Sequence, residues 1–295
     1  MANTIHRRVF SSTRQQVLAW FDRLGWVPSR ATTYLGHQFA YPLDSLIGRK
    51  IAAGKEWDAN LAVIIPALLP MDEPAICEVG SNIGASLLQI MKVKPRARVV
   101  AFEPSDRFRP FLERNLRLAG VKQVEILPLL VGRSQGVIWL YNNASSASVD
   151  HVRPELKPRR KQPAFMTALD EVYRQRPRLD FIKVDTDGFD LEVLRGAEEI
   201  LKRDAPALYF ELFPALLPTT STLALDLAWL QGAGYARFVC FTPPGKLLGL
   251  TGDVEQLISW ANEDDYCDVL VCAAGSPAEV RLEELLRHFA VEAAR

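Results

Sequence analysis

The 295-residue chain has no surplus of either charge, because 35 Lys and Arg offset 35 Asp and Glu. A global field that would draw in nucleic acid or an anionic membrane is thereby excluded, and only local patches could act in that way. Cysteine is scarce. The four present (Cys77, Cys240, Cys267 and Cys272) form no C-x-x-C pair and lie in apolar, strand-like surroundings, so buried thiols are expected rather than zinc ligands or disulfides. No run approaches the ~18 apolar residues of a spanning helix, and the opening MANTIHRRVFSS has no apolar core of a secretory signal. The expectation is a cytoplasmic protein without a membrane or nucleic-acid partner. Internal repeats are missing too, and so is the G-x-G-x-x-G fingerprint that cradles a dinucleotide pyrophosphate.

What is present is enough apolar residue, 48% of the chain, to bury a sizeable core. Three zones are expected. Residues 1–60 read as an N-terminal helical extension: Thr13 with Gln16 makes a capping box, Val17, Leu18, Trp20, Phe21 and Leu24 share a face, and Gly25 stops the helix. Residues 61–275 form the main domain. There the runs AICEV, ARVVAF, VEILPLLV, LDFIKVD, PALYFEL, YARFVCF and CDVLVCA read as strands, many apolar throughout, as strands covered on both faces must be. Helical stretches at 84–93, 105–119, 189–202, 222–233 and 253–262 alternate with them, which predicts an α/β layered sheet with helices on both faces. Residues 276–295 close the chain as an amphipathic helix whose Leu282, Leu285, Leu286 and Phe289 face the core.

The stretch ICEVGSNIG, residues 76–84, reads as a strand turning sharply into a helix. Gly80 lets the backbone bend, and Gly84 lets a ligand or a strand approach the helix. With Asn82 at the position of the middle glycine, the turn Gly80-Ser81-Asn82-Ile83-Gly84 does not suit a pyrophosphate, though a helix N-terminus offers N–H groups to a carboxylate. Glu103 ends the apolar run VVAF 23 residues beyond Gly80, where an acid accepts hydrogen bonds from both ribose hydroxyls. Glu78, beside the turn, can meet an ammonium group. A ligand with ribose, amine and carboxylate but no phosphate is S-adenosylmethionine, and Glu78, Gly80, Ser81, Asn82, Gly84 and Glu103 are the residues expected to hold it.

On ICEVGSNIGA, VVAFEP, IKVDTDGFDLEVLRGA, TALDEVY, PALYFEL and GKEWDANLAVII, the sequence resembles the FkbM-type S-adenosylmethionine-dependent methyltransferases over residues 45–275. The resemblance implies a Rossmann-like, seven-stranded methyltransferase sheet, with six parallel strands and one antiparallel strand near the edge, and methyl transfer usually aimed at a hydroxyl. Asp187 and Asp190 depart from the family's commoner residues, and LLVG at 129–132 offers the adenine no side-chain donor or acceptor.

Three residues are candidates for the chemistry. Asp185 ends the strand FIKV at the edge where open α/β sheets collect ligands, and Glu211 ends the next strand. His151 lies in the loop DHVRPELKPRRKQP, whose Arg153, Lys157, Arg159, Arg160 and Lys161 suit either a solvated loop or a lid that draws in an anionic acceptor. Any of the three could be the general base. Asp187 and Asp190 read most simply as helix caps. A resident metal is not expected, since the acids lack the remaining ligands of a calcium loop, and magnesium held by Asp185 and Glu211 is the lesser alternative. The functional expectation is an O-methyltransferase acting on a small molecule, sugar or glycan hydroxyl. A noncatalytic module that keeps the fold is the alternative, and a nicotinamide oxidoreductase is disfavoured by the missing glycine.

Overall fold

The computed structural model describes Val17, Leu18, Trp20 and residues 26–149, 160–217 and 222–293. Strands β1 (Ser29–Tyr34) and β2 (His37–Pro42) make an antiparallel hairpin closed by Leu35 and Gly36, both at positive φ (50° and 85°). This two-residue turn matches the twist of the paired strands. The zone expected to be a helical extension is therefore partly β: Val17, Leu18 and Trp20 are helical, with Leu18 buried and Val17 and Trp20 exposed, while residues 29–42 form the hairpin. The capping box and Gly25 lie outside the described residues. Helices α1 (Leu46–Ala52) and α2 (Leu61–Leu68) follow, and Leu61, Ile64 and Ile65 of α2 are fully buried.

The alternating part begins with β3 (Ala75–Val79), α3 (Ala85–Val93), β4 (Arg98–Phe102), α4 (Arg109–Leu118) and β5 (Val124–Leu127). Strands β6 (Leu130–Val131), β7 (Gly136–Asn142), β8 (Ala147–Val149) and β9 (Arg160–Thr167) then leave the main sheet and pair among themselves in the order β6-β9-β7-β8. Next come α5 (Leu169–Tyr173), β10 (Phe181–Val184), α6 (Asp190–Arg195), α7 (Glu198–Asp204), β11 (Ala207–Leu212) and α8 (Leu223–Gly232). The chain finishes with β12 (Phe238–Phe241), β13 (Leu247–Thr251), α9 (Val254–Glu263), β14 (Cys267–Val271) and α10 (Pro277–Ala293).

The main sheet has the order β13-β12-β14-β11-β10-β3-β4-β5. Strands β5, β4, β3, β10 and β11 are mutually parallel, and β14 is antiparallel to both β11 and β12, so β12 runs with the parallel set. Six strands thus point one way and β14 is reversed, as expected. The eighth strand, β13, is added to the edge by a tight return in which Thr242 N–H donates to the Lys246 carbonyl. Alternate residues feed two cores. Ile76, Phe181, Tyr209 and Leu270 face α2, α3 and α10, whereas Cys77, Ile182, Leu208 and Val271 face α6 to α9. Fully burying one such side chain contributes about 1.5–3 kcal/mol. Leu282, Leu285 and Phe289 of α10 are buried in the first core with Leu286 packed beside them, and Phe289 meets Phe241 edge-on with ring centroids 4.9 Å apart. All four cysteines are buried free thiols. Chain direction places the ends of β3 and β10, with the loops that follow them, at one sheet edge. There, the connection from β3 goes one way and that from β10 the other, which is where open α/β sheets form a crevice.

Candidate functional site

The glycine turn is built by backbone crowding. Gly80 has φ +87°, and a Cβ there would collide with the Asp185 carbonyl oxygen at the end of β10. Its need for glycine therefore comes from the neighbouring strand. Gly84 (φ +86°) sits against Leu112 of α4 and lines no part of the cleft. The turn's N–H groups are largely engaged: those of Gly80 and Ser81 donate to the Phe102 carbonyl, and that of Asn82 donates to Glu103 Oε2 at 2.6 Å. Glu103 Oε1 accepts the Ser105 N–H at 2.9 Å. Only 4% exposed, Glu103 is held at the turn with one backbone donor on each oxygen. Burial pushes its pKa up to about 8, although those two N–H groups pull it down.

Glu78 lies behind the turn. It is fully buried, its Oε1 accepts from Ser86 Oγ at 2.7 Å, and its Oε2 has no hydrogen-bond partner. In register with it on β10 stands Lys183, a lysine in an otherwise apolar strand. Its Nζ lies 3.0 Å from Asp185 Oδ2 and 3.2 Å from Asp58 Oδ2. Burial lowers the lysine's pKa, but the Asp185, Asp58 and Glu78 carboxylates outweigh that, so Lys183 stays charged with its pKa well above the ordinary value. One ammonium thus anchors Asp185 and the segment before α2. Asp190, expected as a cap, works differently: it accepts from the N–H and hydroxyl of Thr186 and from the Glu211 N–H, bracing the loop after β10 to β11. Gly188 (φ +94°) lets this loop pass the Leu216 carbonyl. Glu211 is raised well above the usual carboxylate range by burial, then by Asp185, Asp187, Asp190 and Asp268, and its Oε2 is buried without a hydrogen-bond partner.

These groups surround a cleft in two compartments. The inner recess is lined by Val79, Gly80, Asn82, Phe102, Glu103, Phe108, Val131, Val149, Asp185 and Phe189, and measures ≈ 50 Å³. The outer compartment, ≈ 480 Å³, is lined by Trp57, Ser81, Ser86, Ser145, Glu211, Phe213, Asp265 and Tyr266, among others. Gly80, Asn82, Asp185 and Asp187 belong to both. The structure thus brings together Gly80, Ser81, Asn82, Glu103, Asp185 and Glu211, sets Glu78 and Gly84 just behind, and leaves His151 outside the described residues. Of the basic loop, Arg160 pairs with Asp106 at 2.7 Å, and Lys161 sits 4.2 Å from the centre of the Trp139 ring. Among the described residues no group of three or more His, Cys, Asp or Glu could hold a metal ion.

Sequence reasoning read Asp187, which lines both compartments, only as a helix cap, and it passed over Lys183, Asp58, Phe213, Asp265 and Tyr266. Lys183 did carry a signal, a lone charge inside an apolar strand. The others come from distant loops that only the fold brings together.

A mostly parallel sheet with a glycine turn after β3 and acids at the ends of β4 and β10 defines the Rossmann-like class of α/β folds. Residues 78–235 match the Methyltransferase FkbM domain, and the chain belongs to that family. It is 31% identical over 158 residues to methyltransferase sdnD of Sordaria araneosa, an overlap of 43% of this chain and 61% of that one. Among solved structures it is similar to the FkbM methyltransferase of Methylobacillus flagellatus KT (TM-score 0.47, 18% identity, 74% of this chain and 49% of that chain). Another is the precorrin-6y C5,15-methyltransferase of Geobacter metallireducens GS-15 (TM-score 0.40, 14% identity, 72% and 85%). The chain therefore spans less than two thirds of the curated relative's length and about half of the FkbM structure's.

Family membership makes S-adenosylmethionine the methyl donor, and the residues present fit it. Glu103 keeps acceptor capacity beyond its two backbone bonds, since a carboxylate offers about four lone-pair sites. Phe102, Phe108, Val131 and Phe189 give apolar walls for a flat base. Ser81 Oγ and Asn82 Oδ1 are buried without hydrogen-bond partners at the junction of the compartments.

Proposed function

We propose that this protein is an active S-adenosylmethionine-dependent O-methyltransferase of the cytoplasm, acting on the hydroxyl of a small molecule, sugar or glycan. A single observation carries the reading: Asp185, held by a buried ammonium, lines both the recess beside Glu103 and the larger compartment that opens onto it. The balanced overall charge supports a small-molecule partner over nucleic acid or membrane. Among the described residues no helix is long and apolar enough to cross a membrane.

When bound, the donor supplies an electrophilic methyl carbon on its sulfonium. The protein's own residues then have three tasks. Glu103 and the turn at 80–82 bind and orient the nucleoside end. Phe213, Tyr266 and Trp57 exclude water from the outer compartment and give an acceptor ring flat surfaces, Phe213 and Tyr266 being stacked at 5.2 Å. Asp185 accepts a hydrogen bond from the acceptor hydroxyl and takes its proton on a carboxylate oxygen as transfer proceeds, while Lys183 keeps the carboxylate oriented. A well-placed base contributes ~10²–10⁴-fold, and alignment of the reacting atoms as much or more.

The test is Asp185→Asn, which preserves shape but cannot take the proton. Turnover of labelled methyl onto an acceptor should fall ~10²-fold or more, while calorimetric affinity for S-adenosylmethionine is largely kept. Parental turnover by the variant would remove Asp185 from the chemistry. Binding of the donor with no transfer to any acceptor in a screen of glycans and metabolites would favour a noncatalytic module, and binding of NAD instead would overturn the class.

A further inference from the structure

Among the described residues the outer compartment is lopsided in charge: Asp185, Asp187, Glu211 and Asp265 line it with one basic side chain, Lys50, whose Nζ sits 5.0 Å from the centre of the Trp57 ring at the same cleft. Asp185 is balanced by the buried Lys183. Asp185 and Asp187 are shared with the inner recess. Glu211 and Asp265 line only the outer compartment, beyond the nucleoside recess. Two further observations point to a ligand there. Ser81, 1% exposed, has its Oγ without a hydrogen-bond partner at this wall, and Glu211 Oε2 is buried and likewise unsatisfied. A buried carboxylate oxygen with no donor is costly to keep and is relieved by a cation or a donor brought by a ligand. Phe213 and Tyr266, stacked with 23° between their planes, stand beside the same acids, and aromatic faces attract cations as well as sugar rings.

We propose that the acceptor is a hydroxyl compound carrying a positively charged nitrogen, as in an amino sugar or amino alcohol, with the cation held by Glu211 and Asp265 against Phe213 and Tyr266. This rests on the methyltransferase reading and narrows its substrate class. An anionic acceptor, which the basic run at 151–161 first suggests, would meet the Glu211 and Asp265 carboxyls at this wall. The cation also gives Glu211 the counter-charge that the ligand-free cleft does not provide.

The test uses choline and its uncharged isostere 3,3-dimethyl-1-butanol, with glycolate as the anionic comparison, bound to protein saturated with S-adenosylhomocysteine and read by ligand-observed NMR titration. Choline should bind at least tenfold tighter than the other two, and Glu211→Gln with Asp265→Asn should reduce that advantage to less than threefold. Calorimetry with S-adenosylmethionine on the same samples separates the two levels. If the donor binds but choline holds no advantage, or keeps it in the double variant, the cationic acceptor is overturned and the methyltransferase reading stands. If the donor does not bind to the parent protein, the methyltransferase reading itself fails, and the substrate class goes with it.

Discussion

Glu103 ties the chemistry of the site to pH. Its carboxyl, with a pKa of about 8 when no ligand is bound, carries a proton at neutral pH. On the proposal that Glu103 holds the ribose, whose hydroxyls donate most strongly to the ionised form, binding below pH 8 must first remove that proton, at about 1.36 kcal/mol per pH unit. The dissociation constant for S-adenosylmethionine should therefore worsen up to ~10-fold per unit as pH falls from 8 towards 6, and be flat above 8. Glu103→Gln cannot titrate. Its binding curve should lose this slope and be weaker at pH 8.5 by about 1.5–3 kcal/mol, the scale of hydrogen bonds to a charged group. Stability carries the same sign. Because the folded-state pKa lies above the ordinary 4.5, the folded protein binds more protons than the unfolded chain between roughly 4.5 and 8, and this group's contribution to stability declines as pH rises through that window. Calorimetric titrations from pH 6 to 9 check both variants, and parallel slopes would take Glu103 out of the cofactor site.

Among the elements, α4 joins the N-terminal hairpin to the glycine turn. Its buried Asn115 accepts the Ala40 N–H at 2.7 Å and donates to the carbonyls of Ala40 and Ile83, both at 2.9 Å. One amide thus gives β2 a substitute strand partner and pins the glycine turn. Asn115→Leu would leave three buried backbone groups unpaired, each costing about 1–3 kcal/mol before relaxation. Urea unfolding should show a loss of ~2–4 kcal/mol, accompanied by weaker donor binding because Ile83 belongs to the turn. A change under ~0.5 kcal/mol would mean that the hairpin is held by its apolar side chains alone. The same scale shows what could be read before the fold was known. AICEV, PALYFEL and CDVLVCA were legible because strands covered on both faces must be apolar throughout, and D-T-D-G-F-D because Gly188 and Asp185 answer to backbone geometry at a strand end. The hairpin was hidden because its turn puts Leu35, not Asn or Asp, at positive φ. Strands β7 and β9 were hidden because Val137, Trp139 and Phe165 point outward, so the apolar–polar alternation of a half-buried strand is lost.

For the molecule as a whole, the second sheet forms one wall of the inner recess. The inner recess holds ≈ 50 Å³, whereas even benzene occupies a cavity of about 150 Å³. A nucleoside seated wholly in this recess, as proposed above, would require its walls to part. On one side these walls are β3, β4 and the loop after β10, set in the main sheet. On the other they are Leu129 to Val131, Ala147 and Val149, which belong to the β6-β9-β7-β8 sheet or border it. That sheet has a small core of its own: Leu130, Leu140, Val149 and Ala164 are its buried apolar residues, with Phe189 packed against them. Polar links fasten it to the loop beside Glu103, through Gln162 Nε2 to the Pro104 carbonyl, the Asp106 N–H to Gln162 Oε1, and Arg107 NH1 to the Ala144 carbonyl. A thin core makes the least costly part to open, and the links return it to the site once it closes. Amides of β7 and β9 should accordingly exchange hydrogen faster than those of β3 and β10, by a local opening that leaves the main sheet intact. Saturating S-adenosylmethionine at about 100 times its dissociation constant should slow that exchange by ~100-fold, corresponding to ~2.7 kcal/mol, if the donor binds only the closed arrangement. Mass-resolved hydrogen exchange reads each strand separately. If the donor protects the turn at 80–84 while β7 and β9 exchange as before, the second sheet is a fixed wall and the recess must widen through the loop after β10.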